Sequence, residues 1–149
     1  MSIRVHEELR GSNVDYLPLA LFVEETAAGD VGTSRAISVT TDPVNAIVMR
    51  YGSAAQKKQW LTMLAQGQLL GAFCLTEPHT GSDAASLRTT AVKNGDAYVL
   101  NGVKQFITSG KNGQLAIVIA ATATGAGRKG MNDFLGQTDS HRDLGARLG

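Results

Sequence analysis

The chain has 149 residues, 43% of them hydrophobic, which is the size of one ordinary domain with enough apolar content for a real core. Its 14 basic and 13 acidic residues leave a formal net charge of +1, and their interspersion offers neither a basic face for nucleic acid nor an acidic tail. Cys74 is the only cysteine, which excludes an intrachain disulfide and CxxC-type metal spacing and fits a reducing compartment.

The first ten residues, Met1 to Arg10, lack the apolar core of a secretory signal, and Glu7 and Glu8 argue against a transit peptide. No apolar run approaches membrane-spanning length, so the expected location is cytoplasmic. Val14, Leu17, Leu21 and Ala28 fall on one helical face, with Glu24 and Glu25 away from its centre, which predicts a helix from about Asp15 to Ala28. A second helical stretch contains Ile37, Val39, Val44, Ile47, Val48 and Tyr51, with Asp42-Pro43 expected to begin or kink a helix. A third is better marked: Ser53 and Gln56 form a capping box, Trp60, Leu61 and Leu64 give the apolar stripe, and Gly67 supplies the stop. Trp60 is expected in the core.

Near Gly67 to Gly71 the period shifts towards two, and β-branched and aromatic residues alternate between turn signals. Ala72 to Leu75 reads as a buried strand that Thr76-Glu77-Pro78 ends, because Pro78 has no N–H and restricts Glu77 to extended geometry. In the loop that follows, Gly81 permits a positive φ or a close approach of backbone to ligand, Ser82 adds a hydroxyl, and Asp83 can cap the amides beyond it. Such a loop suits phosphate or the polar edge of a heterocycle. Asn101-Gly102, between Tyr98-Val-Leu100 and Val103-Lys-Gln-Phe106, predicts a hairpin turn. Ala116 to Ala121 predicts another strand. From Gly125 onward, six glycines in the last 25 residues and no sustained apolar period predict no regular structure. There are no internal repeats.

From the residues alone, Phe106 in an alternating strand is a core residue, and Thr76 and Thr108 satisfy strand-end backbone groups. Cys74 is a buried, inert thiol. His6, His79 and His141 are too dispersed for a metal site. Glu77 and Asp83 share a loop, but nothing around them assembles a sugar site for paired-carboxylate chemistry.

The order of residues in Leu75-Thr-Glu-Pro-x-x-Gly-Ser-Asp83 resembles the first signature of the acyl-CoA dehydrogenase family, FAD enzymes that introduce a double bond between the α and β carbons of an acyl-CoA thioester. Tyr98-Val-Leu-Asn-Gly-Val-Lys-Gln-Phe-Ile-Thr-Ser-Gly110 resembles the family's strand pair ending in an aromatic-Ile-Thr element. Arg50-Tyr-Gly-Ser-Ala-Ala-Gln-Lys-Lys-Gln-Trp-Leu61 looks like its helical segment upstream of the signature, so the resemblance covers roughly residues 13 to 125. It implies an α+β fold: an N-terminal helical segment followed by an antiparallel β domain like the family's middle domain, with the C-terminal helical bundle absent. The implied division is 1–70, part of the helical domain; 71–125, the flavin-binding β domain; and 126–149, a degenerate or incomplete remainder of it.

The resemblance also implies FAD as cofactor and a set of residues around it: Phe73, Leu75, Thr76, Gly81, Ser82, Phe106, Ile107 and Thr108. Backbone amides and the Thr76 hydroxyl would meet the isoalloxazine edge, and Ser82 the pyrophosphate or the bound thioester. Phe106 would stack on the flavin face, and Thr108 would approach its reactive nitrogen. His79 falls at a variable family position and is expected to be a solvated loop residue. The family's base is a carboxylate in helical regions beyond the β domain, and neither Glu77 nor Asp83 matches it, so no catalytic residue is assigned here. Acyl-CoA as substrate, electron-transfer flavoprotein as acceptor and a homo-oligomer are implied for the intact family. Lys129-Gly-Met-Asn-Asp-Phe-Leu135 echoes the next strand only loosely, with Asn132-Asp133 in place of small or apolar residues, which points to a disrupted frame or a partial sequence. The alternatives are a non-catalytic remnant, a subunit needing a partner chain, and an acyl-CoA oxidase-like enzyme.

Overall fold

The computed structural model describes residues 4–123, 127–138 and 146–147. It has two compact units, a helical one up to Gly71 and a sheet one from Ala72 on.

In the helical unit, α1 spans Tyr16–Gly29, and the Asp15 carboxylate accepts the Tyr16 N–H at 2.9 Å. The helix lies where expected, but its packed side does not: Leu19 is buried and Val23 half-buried, whereas Val14, Leu17, Leu21 and Ala28 are exposed. The segment from Leu17 to Val23 is apolar on most sides, so periodicity could not choose a face. The contact with the next helix chooses it, with Ser34 Oγ donating to the Val23 carbonyl at 2.9 Å.

Asp30 separates the helices. Its carboxylate accepts the Thr33 N–H at 2.8 Å and caps α2, Val31–Val39. A π-helical turn, Thr40–Val44, then leads into α3, Asn45–Tyr51. Pro43 lies inside that wide turn and neither begins nor ends the helix, because its missing N–H falls where the regular ladder is already interrupted. The bulge turns Thr40 inward to accept the Gly71 N–H at 3.1 Å. Gly71 packs so closely there that a Cβ would lie 2.8 Å from Val44 Cγ1.

The third helical run comprises α4, Ala54–Gln56, a π turn, Lys57–Leu61, and α5, Thr62–Ala65. The capping box forms in both directions, Gln56 N–H to Ser53 Oγ at 3.2 Å and Ser53 N–H to Gln56 Oε1 at 2.8 Å. Gly67, at φ +70°, ends the run, with N–H bonds from Gly67 to Leu64 and from Gln68 to Met63. Leu61 and Leu64 are fully buried, as are Val44 and Val48, but Trp60 is only half-buried and lies at the edge of the stripe, not in the core.

Among its described residues the sheet unit has six strands: β1 Gly71–Cys74, β2 Thr90–Asn94, β3 Ala97–Asn101, β4 Leu115–Ala121, β5 Met131–Gln137 and β6 Ala146–Arg147. The order is β3-β2-β4-β5-β6, with β1 also pairing with β4. Pairing is antiparallel in β2–β3, β4–β5 and β5–β6, while β2 meets β4 in parallel through Thr90 and Ala121.

The hairpin differs from expectation. Its turn is Gly95-Asp96, since Asn94 pairs with Ala97 and Thr90 with Asn101. Gly95 is at φ +60°, the conformation that a two-residue turn demands at its first central position. Asn101-Gly102 ends β3 instead, and Gly102 serves a close approach: a Cβ there would lie 2.7 Å from the Thr89 backbone.

The tail also departs from the expectation of no regular structure. β5 pairs with β4 from Leu115↔Gln137 to Ala121↔Met131, because a strand buried from Leu115 to Ala120 must have its backbone groups satisfied. Phe134 and Leu135 are buried, and the Asn132 amide is accommodated by the Thr122 hydroxyl at 2.7 Å. Phe134 packs with Ala91 and Ala120 and meets the Tyr98 ring at 5.1 Å. His141 lies outside the described residues.

Candidate functional site

Two loops leave the sheet and meet. The first follows β1. Glu77 and Thr80 exchange backbone bonds at 2.8 and 3.1 Å around Pro78-His79, and the Thr80 hydroxyl donates to the Asp83 carbonyl at 2.7 Å. That carbonyl also accepts the Ser86 N–H at 3.0 Å, while the Asp83 carboxylate takes the Ser86 hydroxyl and not a following amide. His79 is exposed, its Nε2 3.0 Å from the Ser86 carbonyl. Gly81 does not take the positive φ that it permits, and a Cβ there would make an ordinary contact of 3.4 Å with Thr76 Cγ2. Ser82 is exposed, and Phe73, Leu75 and Thr76 are half-buried.

The second loop follows β3. Val103 to Phe106 is not a strand, and Phe106 is not core: it stands at φ +57° with 85% of its surface exposed. A bulky aromatic in the left-handed region is strained. The neighbours hold it there, since Ile107 packs on Ala72, Ala116 and Val118, and the Gly110 N–H returns to the Ile107 carbonyl at 3.0 Å. Thr108, half-buried, lies in that turn.

Direct bonds join the loops. The Gln105 N–H donates to the Thr76 carbonyl at 2.9 Å, and the Lys104 ammonium donates to the Leu75 carbonyl at 2.9 Å and to Glu77 Oε1 at 2.8 Å. The Glu77 carboxylate, buried in the same place, also accepts the Arg88 N–H at 2.7 Å and the Thr89 N–H at 2.9 Å. Burial alone would raise its pKa, but the Lys104 ammonium and the two amides outweigh it and hold the carboxyl at about 2. A carboxylate so saturated and so acidic is a poor proton acceptor near neutrality. Sequence reasoning weighed Glu77 only against Asp83 and missed Lys104. The available signal was a carboxylate fixed in extended geometry by Pro78 at the end of an apolar strand, where it would need a buried partner.

Cys74 is half-buried, less enclosed than expected, yet burial pushes its thiol up to about 11, with Lys104 only partly opposing, so it is neutral. Among the described residues no cluster of His, Cys, Asp or Glu could hold a metal ion, and no helix is long and apolar enough to cross a membrane. A cavity of about 330 Å³ in the helical unit, lined by Arg4, Tyr16, Thr41, Ala46, Met49 and Arg50, contains none of the loop residues. What the two loops offer is one exposed aromatic face, the Thr76 and Thr108 hydroxyls, and a backbone that Gly81 leaves open. That set suits a planar heteroaromatic with a polar edge.

Residues 1–68 match the family Acyl-CoA dehydrogenase, N-terminal domain, and residues 72–147 match Acyl-CoA dehydrogenase, middle domain. The short-chain specific acyl-CoA dehydrogenase of Rattus norvegicus mitochondria is 37% identical over 135 residues, which is 91% of this chain and 33% of the relative. A chain in a structure described as the electron transferring flavoprotein of Acidaminococcus fermentans superposes with a TM-score of 0.89 at 38% identity, covering 93% of this chain and 36% of that one. Glutaryl-CoA dehydrogenase from Mycobacterium smegmatis, in complex with FADH2, gives a TM-score of 0.85 at 34% identity over 95% of this chain and 35% of its own. The chain therefore spans about a third of the length of the proteins it matches.

Proposed function

The chain belongs to the acyl-CoA dehydrogenase family, and from that premise we propose that its two joined loops form the flavin-facing part of an FAD-dependent site for α,β-dehydrogenation of an acyl-CoA thioester. The observation that carries this reading is Phe106, an aromatic held at φ +57° and left exposed beside Thr108. Folding alone gains nothing from that strain, whereas a stacked heterocycle would. The FADH2 held by the M. smegmatis relative and the short-chain acyl-CoA named for the rat relative support the same assignment of cofactor and substrate class.

When bound, the flavin supplies the hydride acceptor. The residues of this chain bind and orient it: Phe106 by stacking, Thr76 and Thr108 through their hydroxyls, and Phe73, Leu75, Gly81 and Ile107 by lining and backbone contact. Ser82, exposed in the first loop, would meet pyrophosphate or thioester. Glu77 is not the proton acceptor, because its oxygens are committed and its carboxyl is held at about 2. The base is contributed by residues outside these 149, either in the same polypeptide or in a partner chain. Electron-transfer flavoprotein is the proposed acceptor, in line with the description of the A. fermentans structure.

The test is visible flavin absorbance after incubation with FAD and desalting. The wild-type chain and Lys57→Ala, in the helical unit, should retain flavin, and Phe106→Ala and Thr108→Ala should retain less. A wild-type chain that takes up no FAD would refute the proposal, and equal retention in all four would refute the site.

A further inference from the structure

We infer that Lys104 and Glu77 are positioning residues that set the spacing of the two flavin-facing loops. The inference deepens the flavin reading above and rests on it. Lys104 donates from one ammonium to the Leu75 carbonyl and the Glu77 carboxylate on the first loop, at 2.9 and 2.8 Å. The next residue, Gln105, donates its N–H to the Thr76 carbonyl at 2.9 Å, and Phe106 follows directly. Every residue from Leu75 to Glu77 is thus tied to the residues just ahead of Phe106, Ile107 and Thr108.

The chemistry of the pair favours a geometric role over a stabilising one. The side chains of Lys104 and Glu77 are 12% and 2% exposed, and taking both charges out of water costs about as much as their attraction returns. An apolar pair would hold two loops together as well, but it would not fix their register. An ammonium with three directed protons, bonded to a carbonyl and to a carboxylate that also binds the Arg88 and Thr89 amides, admits few arrangements. Neither side chain is free to touch the cofactor, so both act through Thr76 and Phe106–Thr108.

The experiment compares FAD dissociation constants and the position of the bound flavin's visible bands in the 149-residue chain, in Lys104→Met, in Glu77→Gln and in Phe134→Leu. Phe134→Leu is a core variant of the same unit, remote in sequence from both loops, and controls for lost stability. Circular dichroism well below each melting midpoint confirms that folded protein is titrated. Lys104→Met and Glu77→Gln should weaken FAD binding by about tenfold or more and move the flavin bands, while Phe134→Leu should stay within about threefold of wild type with unmoved bands. Equal effects in all three variants, or wild-type binding in Lys104→Met, overturn the positioning role and leave the flavin site standing. If Lys104→Met does not fold, Glu77→Gln, which keeps the shape and one acceptor oxygen, decides by the same criteria. A wild-type chain without FAD affinity overturns the proposed function and the positioning role with it.

Discussion

Replacing Glu77 with alanine should destabilise the sheet unit by roughly 3–5 kcal/mol, because one truncation leaves several buried groups without partners. The Lys104 ammonium, 12% exposed, loses its counter-ion, and the Arg88 and Thr89 amides lose their acceptor. Net domain stability is typically about 5–15 kcal/mol, so the variant should be marginal. Urea unfolding monitored by circular dichroism measures the change, and a loss below about 1 kcal/mol would show that water or rearrangement replaces the lost bonds. The pair also dictates an acid limit. The carboxyl is held at about 2 in the folded chain against an ordinary 4.5, so its contribution is complete above about pH 4.5 and is lost as the pH falls towards 2. Unfolding free energy should therefore fall across that window in the wild type, and less steeply in Glu77→Gln. Parallel profiles for the two would remove Glu77 as the group responsible.

Phe134→Ala should cost about 3–5 kcal/mol, the range for emptying a fully buried aromatic site. The ring is inaccessible to solvent and fills the space between Ala91, Ala120 and Tyr98. Alanines at two of those three positions cannot extend into the void. Thermal melting should show the loss in a single transition of the sheet unit. A melt indistinguishable from wild type would mean that β5 is dispensable, returning the segment after Gly125 to the unstructured reading.

Phe134 also shows where sequence reasoning stopped. Met-Asn-Asp-Phe-Leu-Gly-Gln has neither strict alternation nor a continuous apolar run, so its local pattern is weak. Its strand character comes from β4, whose unpaired backbone is a demand made by another segment. Phe106 failed for the related reason that an alternating pattern does not reveal positive φ. The face of α1 failed because residues 17–23 are apolar on most sides and packing against α2, with its Ser34 bond to the Val23 carbonyl, orients them. What was legible had a local cause: the Ser53–Gln56 box, the Gly67 stop and the short apolar strand that precedes Pro78. The family signature in turn pointed to both loops for which the flavin-facing role is proposed, because its order of residues carries information that composition does not. It could not reveal the Lys104–Glu77 clamp, whose members are 27 residues apart.

The parallel pair between β2 and β4 has a kinetic meaning. The β2–β3 and β4–β5 ladders close through short connections, Gly95-Asp96 in one and residues 122–130 in the other, and such local closures are fast because little chain entropy is lost. Thr90↔Ala121, backed by the Ala121 N–H to Thr89 bond at 2.8 Å, joins the ladders across a longer separation. For the strands β2 to β5, folding thus amounts to two early hairpins waiting on one late seam, and native-state opening should begin there. Amide exchange at Ala121 should outpace that at Ile117 and Ile119 in the middle of β4, and equal protection along the strand would show that the ladders open as one.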